Sequence, residues 1–129
     1  MILTFGDPAA THIANSGGKG ASLAKLFQGG FNVPPGVIVP ASAYTEFIGD
    51  FDFGALDYSD ATRLREQCAA LRERIIELPM PQALESELRE AVGQLVKNGA
   101  VAVRSSSTME DLAGAAFAGQ HDTYLGIRT

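Results

Sequence analysis

The 129-residue sequence predicts an α/β chain of the mixed, α+β kind, in which a helical hairpin covers a small sheet. Three observations point there. Short apolar, β-branched runs alternate with stretches of helical periodicity. Two consecutive amphipathic patterns are joined by Pro79-Met80-Pro81. Glycine or proline punctuates most junctions. With 46% hydrophobic residues, the length supports one core and a single domain over residues 1–129.

The elements follow in order. Residues 2–5 read as a first strand closed by a Gly6-Asp7-Pro8 turn. Ser16-Gly17-Gly18-Lys19-Gly20 reads as a glycine-rich loop opening a short helix, with Ala21, Leu23, Ala24, Leu26 and Phe27 at helical spacing and Gly29-Gly30 as the stop. In residues 33–39, Pro34 and Pro35 cannot donate ladder hydrogen bonds, so a strand begins after them at a sheet edge. Residues 41–48 are helical, and residues 49–57 form a solvated acidic loop carrying Asp50, Asp52 and Asp57.

Ser59 is placed to cap a helix whose Leu64, Cys68, Leu71, Ile75 and Leu78 form one apolar stripe, putting Cys68 on a buried face. Pro79 stops it. Pro81 suits the first turn of the next helix, where Leu84, Leu88, Val92, Leu95 and Val96 line one face and Asn98-Gly99 ends the run. Residues 100–103 then form the central, buried strand of the sheet, and residues 123–127 form another.

Charge and cysteine usage narrow the function classes. Ten Lys and Arg against fifteen Asp and Glu give a net charge of −5, a poor footprint for nucleic acid or an anionic membrane. Cys68 is single, so no internal disulfide forms, and no Cys/His cluster has zinc spacing. No leader and no membrane-length apolar segment is visible, and a cytoplasmic setting is expected.

Polar chemistry concentrates in three places. Gly17-Gly18-Lys19-Gly20 could turn backbone N–H groups and one ammonium toward a phosphate, although it matches neither a Walker A loop nor a dinucleotide fingerprint; an ordinary loop-to-helix turn is the alternative. The apolar residues 100–103 run directly into Arg104-Ser105-Ser106-Ser107-Thr108, so a strand delivers a guanidinium and four hydroxyls at its carboxyl end. Arg104 is suited to phosphate oxygens, or to a structural pair with Glu110 or Asp111. Residues 114–123 surround Phe117 with small residues and add Gln120, Asp122 and Thr123, as a flap over a flat or phosphorylated ligand would. His12 and His121 lack the partners of a catalytic histidine, and no residue is assigned a catalytic or metal-ligating role.

Taken together, GGKGASLAKL, GFNVPPGVIVPASAYTEF and VAVRSSSTMEDLAGAAFAGQHDTYLGI resemble the N-terminal ATP-binding region of the phosphoenolpyruvate-utilising dikinases, over nearly the whole chain and in the family's order. The pattern is most similar to phosphoenolpyruvate synthases and to rifampin phosphotransferases. The resemblance implies a partial ATP-grasp-like lobe that binds ATP and serves the phosphorylation of a carrier histidine on a separate domain, for transfer to pyruvate. It implies ATP-phosphate contacts from Lys19 and Arg104, further nucleotide contacts from Gly119 and Thr123, and lesser ones from Gly18, Ser105 and Gln120. Mg²⁺ is expected as cofactor, with its carboxylate ligands in a second lobe beyond this stretch, so that these residues alone show little turnover. An antibiotic kinase lobe and a stand-alone nucleotide-binding or docking module are the alternative functions.

Overall fold

A computed structural model describes residues 1–49, 52–109 and 122–128. Strand β1, Leu3–Thr4, pairs antiparallel with β2, Val37–Ile38, in the register Leu3↔Ile38 and Thr4↔Val37. Between them run a 3-10 turn at Pro8–Thr11 and helix α1, Ile13–Gln28. Ala10, Ala24 and Ile38 form the buried core of this half, with Leu3 and Phe5 packed against it. Phe5 meets Phe27 ring to ring at 6.1 Å between centroids. The side-chain amide of Gln28 donates to the carbonyls of Phe5 and Asp7, at 2.9 and 2.8 Å, and anchors the end of α1 to the β1 turn.

Helix α1 differs from the sequence expectation in two respects. One turn of helix already precedes Gly17, whose φ of 68° and ψ of 176° break the helix before it resumes. The glycines therefore form a kink within α1 instead of an open loop ahead of it. The buried face is made of Ser16, Gly17, Gly18, Gly20, Ala21 and Ala24, whereas Leu26 and Phe27 stay largely exposed. Steric room explains the choice. A Cβ on Gly20 would sit 3.1 Å from Ser16 Cβ and 3.4 Å from Ile38 Cδ1, so only small residues fit where α1 crosses its neighbours.

Helix α2, Ala41–Ile48, has the bounds the sequence predicts. The acidic loop is more ordered than mere solvated surface: Asp52 accepts from the Gly54 N–H at 2.9 Å above a 3-10 turn at Phe53–Ala55, and Asp57 accepts the Ser59 hydroxyl at 2.6 Å. Asp50 lies outside the described residues. Ser59 is thereby committed to Asp57, and the cap of α3, Ala61–Glu77, is Asp60, whose carboxylate accepts from the Thr62 and Arg63 N–H groups. Helix α4 spans Gln82–Leu95 and continues as a 3-10 turn, Val96–Asn98, that ends at Gly99. Pro81 is its N-terminal cap residue instead of a member of its first turn.

Strands β3, Val101–Arg104, and β4, Thr123–Ile127, form a second antiparallel pair with a bulge between Val101 and Val103. Both sheets are antiparallel pairs, so the architecture is α+β; the parallel crossover units of a strict α/β fold are absent from the described residues. The expectation of a buried central strand at β3 is overturned: it has a single described partner, and Val103, Tyr124 and Leu125 are more than half exposed. The helical hairpin exists as two successive helices, yet Leu84 is its one buried residue and Cys68 is half-buried. Two short strands offer too little area to cover both apolar stripes. No helix among the described residues is long and apolar enough to cross a membrane.

The hairpin is tied to the first half through its polar side. Glu87 of α4 accepts the terminal amino group of Met1 and the Ile2 N–H, each at 3.0 Å. These hydrogen bonds, the amino group first, hold its carboxyl below the ordinary glutamate range.

Two outcomes follow from these contacts. Asp60→Ala should lower stability by about 1 kcal/mol through loss of the α3 cap, and Ser59→Ala by less, as measured by urea unfolding. Glu87 stabilises in its charged form, so its contribution is present above the ordinary glutamate range and is lost as pH falls through its lowered pKa. Glu87→Gln should flatten the acid limb of a melting-temperature profile in that window while leaving the slope at neutral pH unchanged.

Candidate functional site

Residues on either side of the Gly17 kink meet the chain emerging from β3. The Gly18 N–H donates to the Ser107 carbonyl at 2.9 Å. The Gly20 N–H donates to Ser106 Oγ at 3.1 Å, and that hydroxyl donates to the Ser16 carbonyl at 2.7 Å. Lys19 Nζ reaches the Ser105 carbonyl at 3.4 Å. Only glycine permits this approach at position 17. A Cβ there would overlap Ser106 Oγ and lie 2.7 Å from the Ser106 carbonyl carbon, in a left-handed conformation that side chains avoid.

This seam floors one wall of a cleft of about 670 Å³. The polar wall carries Arg104, Ser105, Ser107 and Thr108 from the end of β3, with Asn15 and Ser16 from the first turn of α1. Across from it, Val39, Pro40 and Tyr44 supply an apolar wall where β2 turns into α2. Tyr44 and Val39 are exposed hydrophobics, 57% and 44% accessible, and present a flat apolar surface beside the hydroxyls. Ser16 is 3% exposed, and its Oγ has no hydrogen-bond partner, so a polar group is held at the cleft wall unsatisfied.

The structure gathers several of the sequence-derived candidates. Arg104 and Ser105 line the cleft; Lys19 does not line it but contacts the Ser105 carbonyl. Thr123 stands opposite Arg104 in the β3–β4 register, and the neighbouring Asp122 carbonyl accepts the Ser105 N–H at 3.3 Å, so β4 braces the loop from behind. Thr123 does not itself line the cleft. Gly18 is buried, and its N–H is committed to Ser107; the expected cradle of glycine amides is therefore occupied by the protein's own loop at Gly18 and Gly20. Gly119, Gln120, His121 and the flap residue Phe117 lie outside the described residues, as do Glu110 and Asp111. His12 caps the start of α1, is exposed, and does not line the cleft.

Sequence reasoning missed Tyr44, Val39 and Asn15. Their one local signal was an aromatic and a β-branched residue flanking the Pro40 helix start, which periodicity assigns to packing as readily as to a site.

The donor set suits an extended polyanion. A guanidinium and several hydroxyls line the cleft, with the Lys19 ammonium against the Ser105 backbone outside the lining, whereas no carboxylate lines it among the described residues. Those residues also contain no cluster able to hold a metal ion, so they fit the phosphates of a nucleotide but do not by themselves fit a Mg²⁺ site.

Comparison with known proteins agrees with this donor chemistry. The family described as pyruvate phosphate dikinase, AMP/ATP-binding domain, matches residues 13–129. A probable phosphoenolpyruvate synthase of Methanocaldococcus jannaschii is 40% identical over 126 residues, covering 88% of this chain and 11% of the relative. One from Staphylothermus marinus is 39% identical, covering 86% of this chain and 15% of its own. The phosphoenolpyruvate synthase of Escherichia coli is 32% identical over 99% of this chain and 18% of its own. The chain thus spans less than a fifth of the length of these three relatives, and it belongs to the pyruvate phosphate dikinase AMP/ATP-binding domain family.

Proposed function

We propose that the chain is the N-terminal, ATP-binding part of a dikinase of the phosphoenolpyruvate synthase type. Residues 1–129 form a single domain in this reading, one lobe of an ATP-grasp-like nucleotide site. The observation that carries it is the cleft lined by Arg104 and the hydroxyls of Ser105, Ser106, Ser107 and Thr108, with Lys19 of α1 held against the Ser105 carbonyl across 86 positions of sequence. Relatives named phosphoenolpyruvate synthase favour pyruvate over an antibiotic alcohol as the final acceptor.

ATP supplies the phosphoryl group that is passed to a carrier histidine on another domain. This chain's residues bind and orient. Arg104 offers paired, charge-assisted N–H donors to phosphate oxygens, and Lys19 adds a second positive charge. Ser105 and Thr108 add hydroxyl donors, with Thr123 and the flap residues Gly119 and Gln120 as further nucleotide contacts. The Tyr44 face bounds the site on its apolar side. Preorganised cations of this kind stabilise charge on a transferring phosphoryl group without reorganising during the reaction. Mg²⁺, expected to neutralise phosphate charge, would need carboxylate ligands that the described residues do not supply. Half a cleft neither excludes water nor holds that metal, so the chain alone does not turn over.

Calorimetric titration with ATP and Mg²⁺ tests this reading. Arg104→Ala should weaken binding by roughly tenfold to a hundredfold, the loss typical of a hydrogen bond to a charged group. Equal binding by the variant would remove Arg104 from the site. ATP hydrolysis above that of a Lys19→Ala control would overturn the expected inactivity.

A further inference from the structure

We propose that Ser106 is a positioning residue of the cleft: its hydroxyl fixes the loop that follows Arg104 on helix α1, and so sets where the Arg104 guanidinium stands for a polyphosphate. This rests on the nucleotide-binding function proposed above.

The hydroxyl is fully engaged within the protein. Its single proton goes to the Ser16 carbonyl at 2.7 Å, because its other partner, the Gly20 N–H at 3.1 Å, is itself a donor. Ser16 and Gly20 stand on opposite sides of the Gly17 break in α1. One side chain therefore bridges the kink and fixes how the two parts of the helix face the β3 loop. Around it, the Ser107 carbonyl holds the Gly18 N–H, and the Ser105 carbonyl receives Lys19 Nζ. Three successive loop residues are thus registered on the helix that carries Lys19.

Arg104 precedes this run directly, and its place depends on it. The hydrogen bonds described between α1 and the segment leaving β3 all pass through residues 105–107. The other side of that segment is braced by β4 through the Ser105 N–H. A shift of the 105–107 register would move Arg104 within the cleft it lines, and a small misplacement of a binding group costs much of its effect. An alanine at 106 would preserve packing against Gly17 but remove the hydrogen bonds to the Ser16 carbonyl and from the Gly20 amide.

A double-mutant cycle separates positioning from mere stability. The full chain, Ser106→Ala, Arg104→Ala and the double variant are titrated with ATP plus Mg²⁺ and, separately, with inorganic tripolyphosphate. Ser106→Ala should weaken both probes by about tenfold, as expected for a lost hydrogen bond that misplaces a charged one, and should cause little further loss in the Arg104→Ala background. Hydrogen exchange at the Gly18 and Gly20 amides should quicken in Ser106→Ala. Equal losses in both backgrounds, or no loss of affinity, would overturn the positioning role while leaving nucleotide binding intact. No binding of either probe by the unaltered chain would overturn the nucleotide reading and the positioning role with it. If Ser106→Ala loses its fold by circular dichroism, Ser106→Cys, which keeps the shape with a weak donor, carries the same cycle.

Discussion

The close approach of Gly17 to Ser106 is the constraint on which the rest of this structure depends. It brings two segments of chain, some 90 positions apart, into backbone contact, and this is possible only because position 17 has no Cβ and tolerates a positive φ. Long-range contacts of this kind are costly in chain entropy. Here the cost is offset by several hydrogen bonds made at once. Because the glycine amides are satisfied by the serine loop, the kink works first as a structural joint. Its amides are spent on that joint, and what it presents at the cleft is the loop that carries Arg104 and its hydroxyls.

Energetically the two halves of the molecule differ. The β1–β2–α1 half has a small core of Ala10, Ala24 and Ile38 sealed by Leu3 and Phe5. The β3–β4 ribbon and the α3–α4 hairpin leave Val103, Tyr124, Leu125 and Ile76 mostly exposed. Apolar surface of this extent normally meets another surface. The chain spans 11% of the Methanocaldococcus jannaschii relative's length and 18% of the Escherichia coli one's. Polar ties, notably Glu87 to the chain's first two residues, hold the hairpin in place where core packing is thin.

The cleft combines a cationic, hydroxyl-rich wall with a flat apolar one. That division matches a ligand with a charged end and a less polar body, and phosphoryl transfer places its demands on the charged end. The chain belongs to an AMP/ATP-binding domain family, and a nucleotide is a ligand of that two-sided kind.

Much of this was legible in the sequence. Local rules of backbone chemistry located α2 to its end residues, the proline-bounded start of β2, the glycine stop of α1 and the proline break between α3 and α4. The switch from residues 101–103 to Arg104 and its hydroxyls, and the series of motifs around it, identified the family and drew attention to a stretch that lines the cleft. Tertiary structure alone decided what these residues touch. Asp60 displaced Ser59 as the α3 cap because Ser59 bonds Asp57, β3 emerged as half of an exposed ribbon because sheet partners are not encoded locally, and Tyr44 joined the site from a helix with an ordinary periodicity. The physical reason is common to all three: propensity and spacing govern neighbours along the chain, whereas the Gly17–Ser106 contact spans nearly ninety residues and has no signature in either segment by itself.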